Sequence, residues 1–143
     1  MEEHRHAIII INNSQGGYLQ YYDSRWNSFL FLNLKMNKDF DDNDIKEDIH
    51  KKLDVSINSI TTKFLMDKKH KKFSESAKIE KEYHHYFYLV TIDNISDLMK
   101  QEDFILNDIQ YKWFTMEQLE NDERIQKVNS DIVNYVKSLK LDT

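Results

Sequence analysis

Asn33-Leu34-Lys35-Met36-Asn37-Lys38-Asp39, seven further residues, then Glu47-Asp48-Ile49-His50-Lys51-Lys52-Leu53-Asp54-Val55 is the stretch on which the reading of this chain turns. Between Asp42 and Leu53 the apolar residues Ile45, Ile49 and Leu53 recur every four positions. Acidic residues open this segment and lysines close it, which predicts a helix aligned with its own dipole. Two readings of the lysines stay open. Glu47 with Lys51, and Asp48 with Lys52, are acid-to-base pairs four residues apart, each worth ~0.3 kcal/mol on an exposed helix. Alternatively, the lysines supply positive charge to a phosphate.

Outward from this helix, apolar runs and alternation predict strands at Ala7–Asn12, Tyr18–Tyr22, Phe29–Leu32, Ile60–Met66, Tyr83–Ile92 and Gln110–Phe114. Gly16-Gly17 predicts a tight turn that makes a hairpin of the first two. Thr115-x-x-Gln118 predicts a capping box that starts a helix before Leu119. Ser130-Asp131 opens a last helix with the apolar face Ile132, Val133, Tyr135, Val136 and Leu139. No repeat or linker divides the chain, so residues 1–143 read as a single domain.

Composition excludes several classes. Forty per cent hydrophobic residues and 13 per cent aromatics are too much apolar material for a disordered segment. With no cysteine there is neither a disulfide framework nor a thiol site. The longest apolar run, Ala7–Ile11, is far short of the ~20 residues of a membrane-spanning helix. The opening Met1-Glu2-Glu3-His4-Arg5-His6 lacks a signal-peptide layout, so a cytoplasmic domain is expected. A formal charge of −5 argues against coating a nucleic-acid polymer. Seven lysines nevertheless fall between Lys63 and Lys81, which reads as a basic, solvated loop able to meet an anion.

Three stretches carry a resemblance that spans nearly the whole chain. The first is Ala7–Asn13 followed by Gly16–Gln20, and the second is Tyr111-Lys112-Trp113-Phe114-Thr115-Met116-Glu117-Gln118-Leu119. The third is the opening stretch, whose spacing resembles the Nudix box, G-x5-E-x7-R-E-U-x-E-E-x-G-U. The resemblance implies a Nudix-like α/β/α sandwich with a mixed central sheet. In working Nudix enzymes the box glutamates hold magnesium or manganese against a diphosphate. Here Lys51 and Lys52 match two adjacent glutamates, and Glu47-Asp48 matches the preceding Arg-Glu pair. Two cations where two anionic ligands are needed would repel the metal. The expectation is therefore no metal, no cofactor and no catalytic residue.

The divergent box, the strand Tyr83-His84-His85-Tyr86-Phe87-Tyr88 and the Trp113–Leu119 segment look most like the SMODS-associated Nudix domains of bacterial anti-phage systems. That likeness implies a sensor cut from a longer membrane-tethered effector, any membrane attachment lying in segments absent from this chain. It implies binding of a cyclic di- or trinucleotide without hydrolysis, with homo-oligomer formation on binding. Lys51, Lys52 and Lys63 are the candidate phosphate contacts. Arg25 and Trp26, in a polar stretch, and His84, His85 and Tyr86, in a strong strand, complete the candidate ligand-binding set. The alternatives are a Nudix hydrolase with rearranged ligands Asp39, Asp48 and Asp54, and a protein-interaction module with a vestigial groove.

Overall fold

Asp41 accepts a hydrogen bond from Asn43 N (2.9 Å), and Asp44 accepts one from Asp41 N (3.0 Å). This capping box starts helix α1, Asp42–Leu53, over the predicted residues. Its buried stripe is Ile45, Ile49 and Leu53. The helix stops because Asp54 turns left-handed (φ 55°, ψ 41°) while its N–H returns to His50 O at 3.0 Å. In the Nudix-box spacing this position matches a glycine; here an aspartate adopts the left-handed conformation and bears its steric cost.

The computed structural model describes residues 3–74 and 79–141. It holds seven strands and three α-helices, a mixed α/β fold. The strands are β1 Glu3–Ile11, β2 Gly17–Asp23, β3 Ser28–Lys35, β4 Ile60–Ser74, β5 Ile79–Ile92, β6 Asp103–Leu106 and β7 Ile109–Thr115. Helices α2, Met116–Asn121, and α3, Glu123–Ser138, follow β7. No helix among the described residues is long and apolar enough to cross a membrane.

The chain forms two compact units. The first, Met1–Ile10 with Asn33–Thr91, contains α1, β4, β5, most of β1 and the end of β3. Its strand order is β4-β5-β1 with β3 next, which leaves β4 at an edge. Here the basic run departs from the predicted loop. Lys63, Lys68, Lys69 and Lys71 lie on β4, a long strand, with their side chains exposed. Charged residues suit an edge strand because they discourage pairing with another chain. Glu75 and Lys78 of that run lie outside the described residues.

The second unit is Ile11–Leu32 with Ile92–Thr143, and its strands run β3-β2-β7-β6. The expected Gly16-Gly17 hairpin is confined to its turn. Asn12 and Tyr18 form a single bridge, and β2 then pairs with β3 and β7. Asn13 Oδ1 takes the N–H groups of Gln15 (3.0 Å) and Gly17 (2.8 Å), and Gly16 adopts φ 77°. A Cβ on Gly17 would meet the Asn13 side chain at 3.0 Å, so a larger residue there would push the amide that holds this turn.

The register sets Leu19 opposite Trp113 and Tyr18 opposite Phe114. Strand β6 is an addition to the sequence reading. Its turn into β7 is Asn107-Asp108, both with positive φ (50° and 64°), the backbone of a type I′ hairpin built without glycine. Thr115 and Gln118 form the predicted box on α2. Asp122 ends α2 and caps α3 by accepting Ile125 N at 2.9 Å. Helix α3 therefore starts seven residues before Ser130, and the predicted start coincides with a kink at Asn129 (φ −142°, ψ 18°).

Candidate functional site

Helix α1 and the end of β3 shape a recess of about 190 Å³ in the first unit. Lys35, Phe40, Asp44, Glu47, Asp48 and Lys51 line it. Lys52 sits one residue further around the helix with its Nζ 2.9 Å from Asp48 Oδ2, as the four-residue spacing predicts. Lys52 thus pairs with Asp48, and Lys51 and Lys35 both line the recess.

Phe40 connects this recess to a row of rings. Its ring lies 6.3 Å from that of Tyr88, which is 5.4 Å from Phe64, and Phe64 is 6.3 Å from Tyr86. The Arg5 guanidinium lies over Tyr86, 5.3 Å from its centroid. Phe64 is 49% exposed, a large apolar surface left to solvent. Burial, reinforced by Asp42 and Tyr86, pushes the Tyr88 hydroxyl above its usual pKa of 10, so Tyr88 keeps its proton. Sequence reading missed Arg5, Lys35, Phe40 and Phe64. Phe64 alone left a signal, as an aromatic within the predicted strand Ile60–Met66.

Tyr86 leads to a second arrangement. Its hydroxyl lies 3.1 Å from His84 Nδ1, and His84 Nε2 lies 2.6 Å from Asp67 Oδ2. Both ring nitrogens of His84 thus have a partner, and the imidazole is held from both ends. His84 is therefore a support for Tyr86. His85 belongs to the opposite face of β5, as strand alternation requires. There it packs 4.8 Å from His70, 6.3 Å from His6 and 5.9 Å from Tyr83. His4 stacks on Tyr83 at 5.3 Å. In this cluster burial, with His4 and Lys35 nearby, lowers the pKa of His6 below 6.5.

Lys63 is exposed on β4. Arg25 and Trp26 belong to the second unit, in the turn between β2 and β3. Arg25 is committed to its own hairpin, with Nη2 3.0 Å from Asp23 Oδ2 and its backbone N–H 2.9 Å from Oδ1. Burial works to raise the Asp23 pKa, but hydrogen bonds from Arg25 and Tyr21 outweigh it and hold the carboxyl below 3.8. Trp26 is 52% exposed, while its carbonyl accepts Arg124 Nη2 at 2.6 Å. Of the eight expected residues, Lys51 and Tyr86 lie on the surface that runs through Phe40.

Neither a family model nor a curated protein matches the chain. Solved structures do. An Ap4A hydrolase of C. elegans superposes with a TM-score of 0.59 at 9% identity, over 97% of this chain and 99% of that one. A NUDIX-family hydrolase from Clostridium perfringens gives 0.55 at 13%, over 97% of each chain. The Nudix hydrolase RenU of M. smegmatis gives 0.54 at 6%, over 98% and 89%. At such identities the likeness is one of fold, and the fold is that of the Nudix hydrolases. The divalent metal of those enzymes does not fit the residues present here. Lys51 and Lys52 hold two box positions, Asp48 is paired with Lys52, and Asp54 is the exposed cap of α1. Among the described residues no three His, Asp or Glu side chains come together as a metal cage.

Proposed function

We propose that this Nudix fold binds a nucleotide second messenger, a cyclic di- or trinucleotide, without hydrolysing it, as the sensing part of a bacterial anti-phage effector. One observation carries the reading: Phe40 joins a recess holding Lys51 and Lys35 to the rings of Tyr88, Phe64 and Tyr86. A nucleotide needs both, cations for its phosphate and flat apolar faces for its base. Stacking on exposed aromatic rings is worth ~1–3 kcal/mol per base, and half-exposed Phe64 suits that role. Arg5 adds a third cation, at the far end of the row.

The recess, about 190 Å³, is smaller than the ~300 Å³ at which pockets begin to enclose whole ligands. It takes one phosphate, and the remainder of a ring lies over the aromatic row and open to a second copy. That favours a homo-oligomer formed on ligand binding. Titration calorimetry against a panel of cyclic di- and trinucleotides is the test, with light scattering for mass. One member is expected to bind, with Lys51→Glu and Phe64→Ala each weakening it at least about tenfold, roughly 1.4 kcal/mol. No heat from any member would sink the reading. Magnesium-dependent turnover of a dinucleotide, lost in Asp48→Asn, would replace it with the hydrolase alternative.

A further inference from the structure

The geometry points to a second small-molecule site, in the Ile11–Leu32 and Ile92–Thr143 unit, that takes a small monocarboxylate with a flat apolar body. A cavity of about 380 Å³ opens there, within the ~300–1,000 Å³ range of ligand pockets. Its apolar floor is Ile11, Met99 and Trp113, all buried. The floor is rigid because Trp113 Nε1 donates to Met99 O at 2.7 Å and Ser96 Oγ accepts Met99 N at 3.3 Å. The wall is the turn from Asn12 to Gln15, held in shape by the two hydrogen bonds to Asn13 Oδ1.

The chemistry of the rim selects the ligand. Asn12, Ser14 and Gln15 bring side-chain donors that form no hydrogen bond among the described residues. Lys100 is the single charged residue of the lining, and its pairing with the fully exposed Asp97 is loose, at 3.9 Å. An exposed pair of that length holds the lysine weakly, so its ammonium is available. One cation with neutral donors matches one negative charge, and a carboxylate also accepts hydrogen bonds from amides and hydroxyls. A doubly charged phosphate would leave charge uncompensated. The lining residues all belong to one unit and Lys51 and its recess to the other, so this site stands or falls independently of nucleotide binding.

The test is amide and indole NMR on the ¹⁵N-labelled full chain, with phenylacetate as the probe and phenylacetamide as its neutral counterpart. Phenylacetate is expected to move the Trp113 indole N–H and the amides of Ser14, Gln15 and Lys100 saturably, with phenylacetamide at least about fivefold weaker. Lys100→Met should erase that preference and leave phenylacetamide binding unchanged. Ile95→Trp, at a half-buried lining position, should block both probes while the spectrum remains that of a folded protein. No saturation well above ~1 mM, shifts scattered away from the cavity, or equal binding of acid and amide would each overturn the assignment.

Discussion

Helix α1 and the segment from β7 into α2 follow the same structural rules and differ in what their solvent-side positions carry. Both begin with a reciprocal capping box, Asp41 with Asp44 and Thr115 with Gln118. Both bury apolar anchors completely or nearly so, Ile45 and Ile49 in one, Trp113 and Leu119 in the other. In α1, however, the solvent-side positions carry charged residues, Lys51 and Lys52 among them, where the Nudix-box spacing has glutamates. Burial and backbone geometry fix the residues at the anchors and caps, and the solvent-side positions are free of both constraints.

The strongest way to break that comparison is to attack the anchors. Trp113→Ala should cost about 3–5 kcal/mol and Ile49→Ala about 2–5 kcal/mol in urea unfolding, because each leaves a cavity in a closed core. A loss below 1 kcal/mol at either site would show that burial is not what holds these segments. Next come the caps: Asp41→Ala and Thr115→Ala should each cost about 1 kcal/mol, and equal losses would confirm that the two boxes do the same work. Asp54→Gly should go the other way and gain up to about 1 kcal/mol, since glycine adopts φ 55° without the steric penalty. A lower melting temperature for this variant would mean the aspartate side chain has a partner of its own.

Mild acid offers the gentlest probe, and it separates the two units. His6 in the first unit has a folded-state pKa below 6.5, so the unfolded chain takes up its proton more readily. Its contribution is complete above pH 6.5 and falls away as pH drops through the lowered value. Asp23 in the second unit contributes in full above pH 3.8 and loses its effect only as pH falls through its own depressed value. The urea midpoint should therefore fall between pH 7.5 and 5.5 in the wild type, fall less in His6→Gln, and fall as much as in the wild type in Asp23→Asn, because Asp23 does not titrate in that interval. A slope unchanged by His6→Gln would move the effect to other groups.

Much of the fold was legible because burial leaves periodic marks. Ile45, Ile49 and Leu53 gave the bounds of α1, and Thr115 with Gln118 gave the start of α2. Strand β6 escaped because its turn, Asn107-Asp108, reaches positive φ without the glycine that usually signals it. The outer part of β4 escaped because an edge strand rich in lysine has the composition of a loop. The candidate site was half legible. Lys51 and Tyr86 stand out by motif and strand context, whereas Phe40 and Arg5 matter through tertiary neighbours 48 and 81 residues away in sequence. Arg25 carried no mark to show that Asp23 already held it.

Asp122 is at once the C-cap of α2 and the N-cap of α3. A single side chain thus acts as punctuation between two helices that have no spacer, and Gln126 Nε2 bonds back to Leu119 O (3.0 Å) across the break. Direction along this part of the chain is therefore set by one carboxylate. A helix-favouring residue there, such as alanine, would invite the two short helices to merge into one continuous rod and send everything after Asn121 along a different course.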